Sequence, residues 1–294
     1  MLERYEKLIH QGELPRLRIV PISNVLFHEE IEPARLRRVA VRLEEDGVLR
    51  HPPIVAGTPR GRKLLLVDGA HRISALRELG LKYALVQIVR YDDDLIELQR
   101  WHHLLDMENP KAFLAAVQAI PGVELSSHHT PRDAGPMHLR RHQYAQIILP
   151  NRSSLLLNPA DGRERTDTRW LDGAAAVLRP LCHLYKERGF RDRISYDEFD
   201  WIEANYERFT GLVVFPHFSK SEIARVARSK EKLPAGITRH LIPKRALRFD
   251  LPLWILSRKL PVAELNRRLV EMILSRIQEG RIRFYSESTF SFNE

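Results

Sequence analysis

The stretch "LLLVDGAHRISALRELG", residues 64–80, constrains the chain more than any other. Leu64 to Val67 form a short apolar run that breaks at Asp68-Gly69, the pattern of a buried strand, and an amphipathic helical pattern then resumes and ends at Gly80. A strand that passes through a glycine turn straight into a helix leaves the helix's first amide donors unpaired, at the positive end of its dipole. That is an anion site. Arg72 adds a planar fork suited to phosphate or carboxylate, and His71 a second donor. Asp68, at the strand's end, is placed either to hold a divalent cation against phosphate oxygens or to orient a neighbour. Taken alone, the junction reads equally as a plain turn before a helix with surface charges.

The flanking segments build a frame around it. "RLRIVPISNVLF" reads as a strand and "IEPARLRRVAVRLEEDG" as a helix, with Pro33 in its first turn, Leu36, Val39, Ala40 and Leu43 on one face, and Gly47 as its cap. "PPIVAG" and "KLLLVDG" are two short strands around the turn "TPRGR", and "YALVQIVRY" is another, so residues 18–91 predict a mixed α/β unit. Beyond it, "DDLIELQRWHHLL" and "PKAFLAAVQAI" read as helices, "HQYAQIILP" with "RSSLLLNPA" as a hairpin, and "DGAAAVLRPLCHLYKERG" as a helix. "LPAGITRHLIP" reads as an irregular loop, "VAELNRRLVEMILSRIQEG" as a helix and "RIRFYSESTFSF" as a final strand. A boundary near residue 100 divides the chain into 1–100 and 101–294.

Composition narrows the classes of function. With 294 residues, 44% of them hydrophobic, the chain is long enough to bury a core, and no apolar run approaches the ~20 residues of a membrane helix. The charged start lacks a secretory signal's apolar core, so the expectation is a cytoplasmic protein with no membrane partner. The one cysteine, Cys182, excludes an internal disulfide and reads as a packed thiol among leucines. The thirteen histidines show no strict metal-helix spacing with a carboxylate. A net charge of +9 admits a polyanionic partner, but the basic residues are scattered among acids, so any nucleic-acid binding is expected to be weak and independent of sequence. Oligomeric state is not written in these patterns.

Two further segments carry polar clusters. In "FHEEIEPARL", His28, Glu29, Glu30 and Glu32 lie between a strand and a helix start. A carboxylate there is placed either to take a proton from a hydroxyl or simply to favour the positive end of the helix. In "LPAGITRHLIP", Thr238, Arg239 and His240 offer a hydroxyl and two donors in succession, either for a phosphate or as a polar surface loop.

Together these segments resemble one family. "VDGAHRISALRELG" is similar to the signature of the ParB/sulfiredoxin fold, and "HEEIEPARL", "RHPPIV", Trp101 and "LPAGITRH" resemble that fold's free-serine kinases. The resemblance is closest to the ATP-dependent branch that serves siderophore biosynthesis in staphylococci. It is dense over residues 18–104 and returns over about 219–256. It implies an α/β (mixed α+β) chain, with a ParB/sulfiredoxin-like nucleotide-binding catalytic domain over 1–100 and a family-specific α/β domain over 101–294 that completes the active site.

The activity implied is transfer of the terminal phosphoryl group of ATP to the hydroxyl of free L-serine, giving O-phospho-L-serine. Glu29 matches the family's catalytic carboxylate. Asp68, Gly69, His71 and Arg72 match its phosphate-binding signature, with Asp68 also the implied ligand of Mg2+, and Thr238, Arg239 and His240 match a second phosphate clamp. Trp101 matches a tryptophan near the serine site. One departure stands out. Where the archaeal, ADP-dependent branch has a glutamate six residues after the catalytic one, this chain has Arg35, which makes ADP the less expected donor. No Walker loop and no protein-kinase signature occurs. Sulfiredoxin chemistry needs a cysteine where Ala70 stands. A ParB-like nucleotide-dependent DNA-binding or transcriptional regulator is the alternative, though no reading helix is visible over residues 100–180.

Overall fold

Arg16–Pro21 form a strand (β1) in which Leu17, Ile19 and Val20 are buried. The computed structural model describes residues 2–57, 63–129, 137, 139, 140, 142–164 and 168–285, and contacts gather the chain into two units. The first unit comprises Met1–Val25, Glu32–Leu95 and Ile242–Glu294; the second comprises Leu26–Ile31 and Ile96–Leu241.

In the first unit, helix α1 (Leu2–His10) precedes β1. A turn of 3-10 helix and the short β2 (Val25–Leu26) lead towards α2 (Pro33–Asp46). Pro33 suits the first helical position because its ring presets φ and its missing N–H has no partner to lose there. Gly47 closes the helix at φ +62°, its N–H bonded to Leu43 O at 3.0 Å. Then come β3 (Val48–Leu49), β4 (Ile54–Gly57), β5 (Leu64–Asp68), α3 (Ala70–Glu78) and β6 (Tyr83–Val89). The sheet runs β1-β6-β4-β5-β2, with β4 antiparallel to β5 and parallel to β6. This is the mixed α/β unit that the patterns over residues 18–91 predict. The turn at 58–62 lies outside the described residues.

The second unit holds β7 (Glu97–Arg100), β8 (His102–Leu105), α4 (Pro110–Gln118), β9 (Val123–His129), β10 (Ala145–Ile148) and β11 (Ser153–Pro159). It continues through α5 (Thr168–Lys186), β12 (Phe190–Ile194), α6 (Phe199–Asn205), β13 (Gly211–Val214), α7 (Lys220–Val226) and β14 (Thr238–Leu241). Its main sheet runs β12-β8-β13-β10-β11-β9, and β14 pairs with β7 in a separate ribbon. The expected hairpin is β10 with β11, antiparallel. The helix expected over "DDLIELQRWHHLL" is instead β7 and β8. His102 to Leu105 are all buried and paired on both edges, to β12 and β13, and this non-local pairing overrides the local helical spacing.

The chain then returns to the first unit as β15 (Leu251–Pro252), α8 (Leu253–Ser257) and α9 (Val262–Gln278). Residues 281–285 form no strand, and the rest of the strand expected at the C-terminus lies outside the described residues. The boundary expected near residue 100 therefore falls at Leu95–Ile96, and residues 242–294 belong with the first unit. The cause is long-range pairing: β15 bonds β3, and α9 packs on β1. Among the described residues no helix is long and apolar enough to cross a membrane.

Asn266 of α9 makes that return specific. β1 is an edge strand, and Asn266 Oδ1 accepts from Ile19 N–H at 2.9 Å while its Nδ2 donates to Ile19 O at 2.8 Å. Asn266→Ala leaves both strand groups without this partner and is expected to cost about 2 kcal/mol, seen as a lowered urea midpoint. Arg267→Ala, on the exposed face of the same helix, is expected to stay within about 0.5 kcal/mol. Equal midpoints for the two variants would contradict this.

Candidate active site

In the first unit, the Asp68-Gly69 turn joins β5 to α3 as a close-packed corner. Gly69 has φ +93°, and a Cβ there would lie 2.8 Å from Pro53 Cβ and 2.9 Å from Arg72 Nη2, so only glycine fits. Arg72 Nη2 donates to Asp68 Oδ2 at 2.7 Å and its Nη1 to His51 O at 2.9 Å. Arg245 donates to the same Asp68 oxygen at 2.5 Å. Burial alone would raise the Asp68 carboxyl, but Arg72 and Arg245 outweigh it and hold it below its ordinary value. Burial pushes the Arg72 guanidinium down against the pull of Asp68, and Arg245 and Arg35 add repulsion.

One carboxylate thus faces several guanidinium groups, a surplus of positive charge at the start of α3, where His71 is half-buried. Arg245 carries no local signal in the sequence, because "IPKRALRFD" shows only dispersed basic charge and its partner lies 177 residues away. Among the described residues no group of three or more His, Cys, Asp or Glu could hold a metal ion. Asp68 alone still fits Mg2+, which commonly takes one or two carboxylates and completes its shell with phosphate oxygens and water.

In the second unit, Glu29 meets the turn that leads into β14. Its Oε1 accepts from the N–H groups of Ile237 at 3.2 Å and Thr238 at 2.8 Å and from the Thr238 hydroxyl at 2.7 Å. Its Oε2 accepts from Gly236 N–H at 2.8 Å. Three successive amides converge on one half-buried carboxylate, an anion nest filled from within the unit. Gly236 makes the turn possible at φ +77°. The backbone holds the pair in register: Leu233 N–H donates to His28 O at 2.9 Å and Glu30 N–H to Leu233 O at 2.8 Å.

The clamp residues divide by strand alternation. Thr238 and His240 share one face of β14, with His28 Nε2 2.9 Å from Thr238 Oγ1 and the His28 and His240 rings edge to face at 5.5 Å. Arg239 takes the other face, its guanidinium 4.7 Å from the centre of the Trp101 ring. The three donors of "TRH" therefore do not form a single cluster. They make two, one with Glu29 and one with Trp101. The segment read as an irregular loop is a strand from Thr238 because its backbone pairs with β7. Of the other acids in "FHEEIEPARL", Glu30 pairs with Arg179 and His183 at 3.7 and 3.4 Å, and Glu32 stands at the N-cap of α2.

Buried polar groups flank Trp101. Arg100 and His102 both donate to Asp197 Oδ1, at 2.9 and 2.7 Å. Burial works against ionising Asp197, but His102 and Arg100 hold its carboxyl well below the usual range. Burial pushes His102 down to about 4 and His103 down to about 3. In the unfolded chain both titrate near 6.5, so on acidification the unfolded state binds these protons first. This contribution to stability is therefore complete above about pH 6.5 and is lost as the pH falls from there towards about 3. Urea midpoints at pH 7.5 and pH 5 test this: a lower midpoint at pH 5 is expected, and an unchanged one contradicts it.

The geometry can be set beside known proteins. No protein-family model matches the chain. A Staphylothermus marinus protein described as an ATP-dependent L-serine kinase is 37% identical over 84 residues, 29% of this chain and only 33% of that protein. The ATP-dependent L-serine kinase SbnI of Staphylococcus aureus is 25% identical over 250 residues, 85% of this chain and 87% of SbnI. Among solved structures, C-terminally truncated SbnI superposes with a TM-score of 0.68 at 22% identity, covering 89% of this chain and 97% of that one. A free serine kinase in complex with AMP gives 0.65 at 16% identity, covering 83% and 94%. SbnI, which this chain matches over most of its length, and the free serine kinase among the solved structures share its fold.

Proposed function

We propose that this chain phosphorylates free L-serine with ATP, giving O-phospho-L-serine and ADP. The observation that carries this reading is the unequal loading of the Glu29 carboxylate. Oε1 is filled by three donors, whereas Oε2 accepts one and keeps capacity for another. A serine hydroxyl is a poor nucleophile at neutral pH, and a fixed carboxylate oxygen within hydrogen-bond reach takes its proton as the bond to phosphorus forms. Phosphoryl transfer otherwise needs positioning and charge neutralisation. Gly69, His71 and Arg72 receive the phosphate groups at the start of α3, and Asp68 would hold Mg2+, which would supply charge neutralisation there. Thr238 and His240 offer further phosphate contacts on the Glu29 face of β14 and Arg239 one on the Trp101 face, and Trp101 lies at the serine side. Names of relatives that bind AMP and act with ATP support a nucleotide donor, and the arginine surplus around Asp68 suits a triphosphate.

Glu29→Gln tests the assignment. With its oxygen on the Ile237 and Thr238 amides, its nitrogen replaces Oε2, where it cannot accept a proton. Phosphoserine formation, followed by phosphorus NMR with ATP and L-serine, is expected to fall ~10²-fold to 10⁴-fold. Nucleotide affinity is expected to stay within about threefold, less than ~0.7 kcal/mol. Glu30→Gln, which alters the pairs with Arg179 and His183, is the control and should keep turnover. Near-normal turnover in Glu29→Gln, or its loss in Glu30→Gln, would remove Glu29 as the base. Arg72→Ala and Arg239→Ala are each expected to weaken nucleotide binding by ~1.5–3 kcal/mol, and unchanged affinity in both would remove them from the phosphate site.

A further inference from the structure

The two peptide units that meet Glu29 Oε1 are held from their other side by β8 and the residue before it. The peptide between Gly236 and Ile237 donates its N–H to Glu29 Oε1, and its carbonyl lies 3.0 Å from His103 Nε2. The next peptide donates Thr238 N–H to Glu29 and accepts from Trp101 N–H at 3.0 Å. His103 is wholly buried, and its other nitrogen, Nδ1, lies 2.7 Å from the Tyr185 hydroxyl, which in turn lies 3.1 Å from Cys182 Sγ.

The direction of every bond in this line is determined. A carbonyl oxygen accepts only, so Nε2 carries the proton. A buried imidazole pushed down to about 3 is neutral, so Nδ1 is bare and accepts from the Tyr185 O–H. The tyrosine oxygen is left to accept from the Cys182 thiol, which burial pushes up to about 12 and so keeps protonated. The line therefore runs from thiol to phenol to imidazole to peptide to carboxylate, each donor polarising the next.

We propose that His103 is a positioning residue for Glu29, acting through the Gly236–Ile237 peptide, with Tyr185 and Cys182 fixing the tautomer that lets it do so. This rests on the reading of Glu29 as the base. A sidechain that grips the carbonyl keeps the N–H on the far side aimed at Oε1, and with Oε1 occupied Oε2 stays turned to the hydroxyl. Small displacements of a reacting group cost large factors in rate, so the grip is read in kcat and not in nucleotide binding.

Two variants of the full chain decide the matter. His103→Met removes the donor. His103→Gln places an amide N–H where Nε2 stood. The first is expected to lower kcat for serine phosphorylation by about tenfold to a hundredfold with nucleotide affinity within about twofold, and the second to restore most of it. Hydrogen exchange at the Ile237 amide should quicken in His103→Met and recover in His103→Gln. Should His103→Met fail to fold, Tyr185→Phe takes its place, with lowered kcat and faster Ile237 exchange expected. Unchanged kcat in the folded variant, or His103→Gln as impaired as His103→Met, overturns the proposal. If the unaltered chain makes no phosphoserine, the proposed activity fails, and the Ile237 amide alone decides the positioning claim: exchange unaltered by His103→Met overturns it.

Discussion

A single carboxylate organises the second unit's chemistry. Glu29 accepts from three successive amides and a hydroxyl, and it does so because Gly236 turns the chain through a left-handed residue that aims those amides inward. Hydrogen bonds to an ionised acceptor are about twice as strong as neutral ones, so the nest fixes both the turn and the carboxylate. The turn in turn delivers Thr238 and His240 to one face of β14 and Arg239 to the other. Remove the carboxylate and three amides and a hydroxyl lose their partner at once, so this residue cannot be only a reactive group on an independent scaffold.

The first unit solves a different problem with opposite charge. At the Asp68 corner the glycine is demanded by space as well as by φ, because Pro53 and Arg72 press on the position a side chain would take. That close approach lets Arg72 reach back to Asp68 and to His51 O at the start of α3. Arg245 shares the same acidic oxygen. A half-buried acid with two guanidinium groups on one oxygen is an arrangement that an added polyanion relieves, since phosphate oxygens supply the missing negative charge.

Features set by local rules were legible in the sequence. Pro33 and Gly47 bound α2 as their φ preferences require, the strand–glycine–helix junction formed at Asp68-Gly69, and the thiol of Cys182 is buried as its leucine neighbours suggested. The family resemblance singled out Glu29, whereas the composition of "FHEEIEPARL" left it level with Glu30 and Glu32. What was not legible depends on partners far away in the chain. "QRWHHLL" spaces its apolar residues like a helix, yet pairing with β12 and β13 makes it strand. Arg245, Tyr185 and His103 draw their roles from residues 177, 82 and 133 positions away, and no short pattern encodes such separations. A loop imposes no alternation and would let the "TRH" triplet act as one clamp; as a strand it must split between two faces.

The most direct measurement is a crystal structure of the chain with L-serine and a non-hydrolysable ATP analogue. The account predicts the serine hydroxyl within about 2.6–3.2 Å of Glu29 Oε2, with Oε1 still on the Ile237 and Thr238 amides. A serine hydroxyl bound away from Glu29, or a Glu29 carboxylate withdrawn from those amides when both ligands are present, would contradict it.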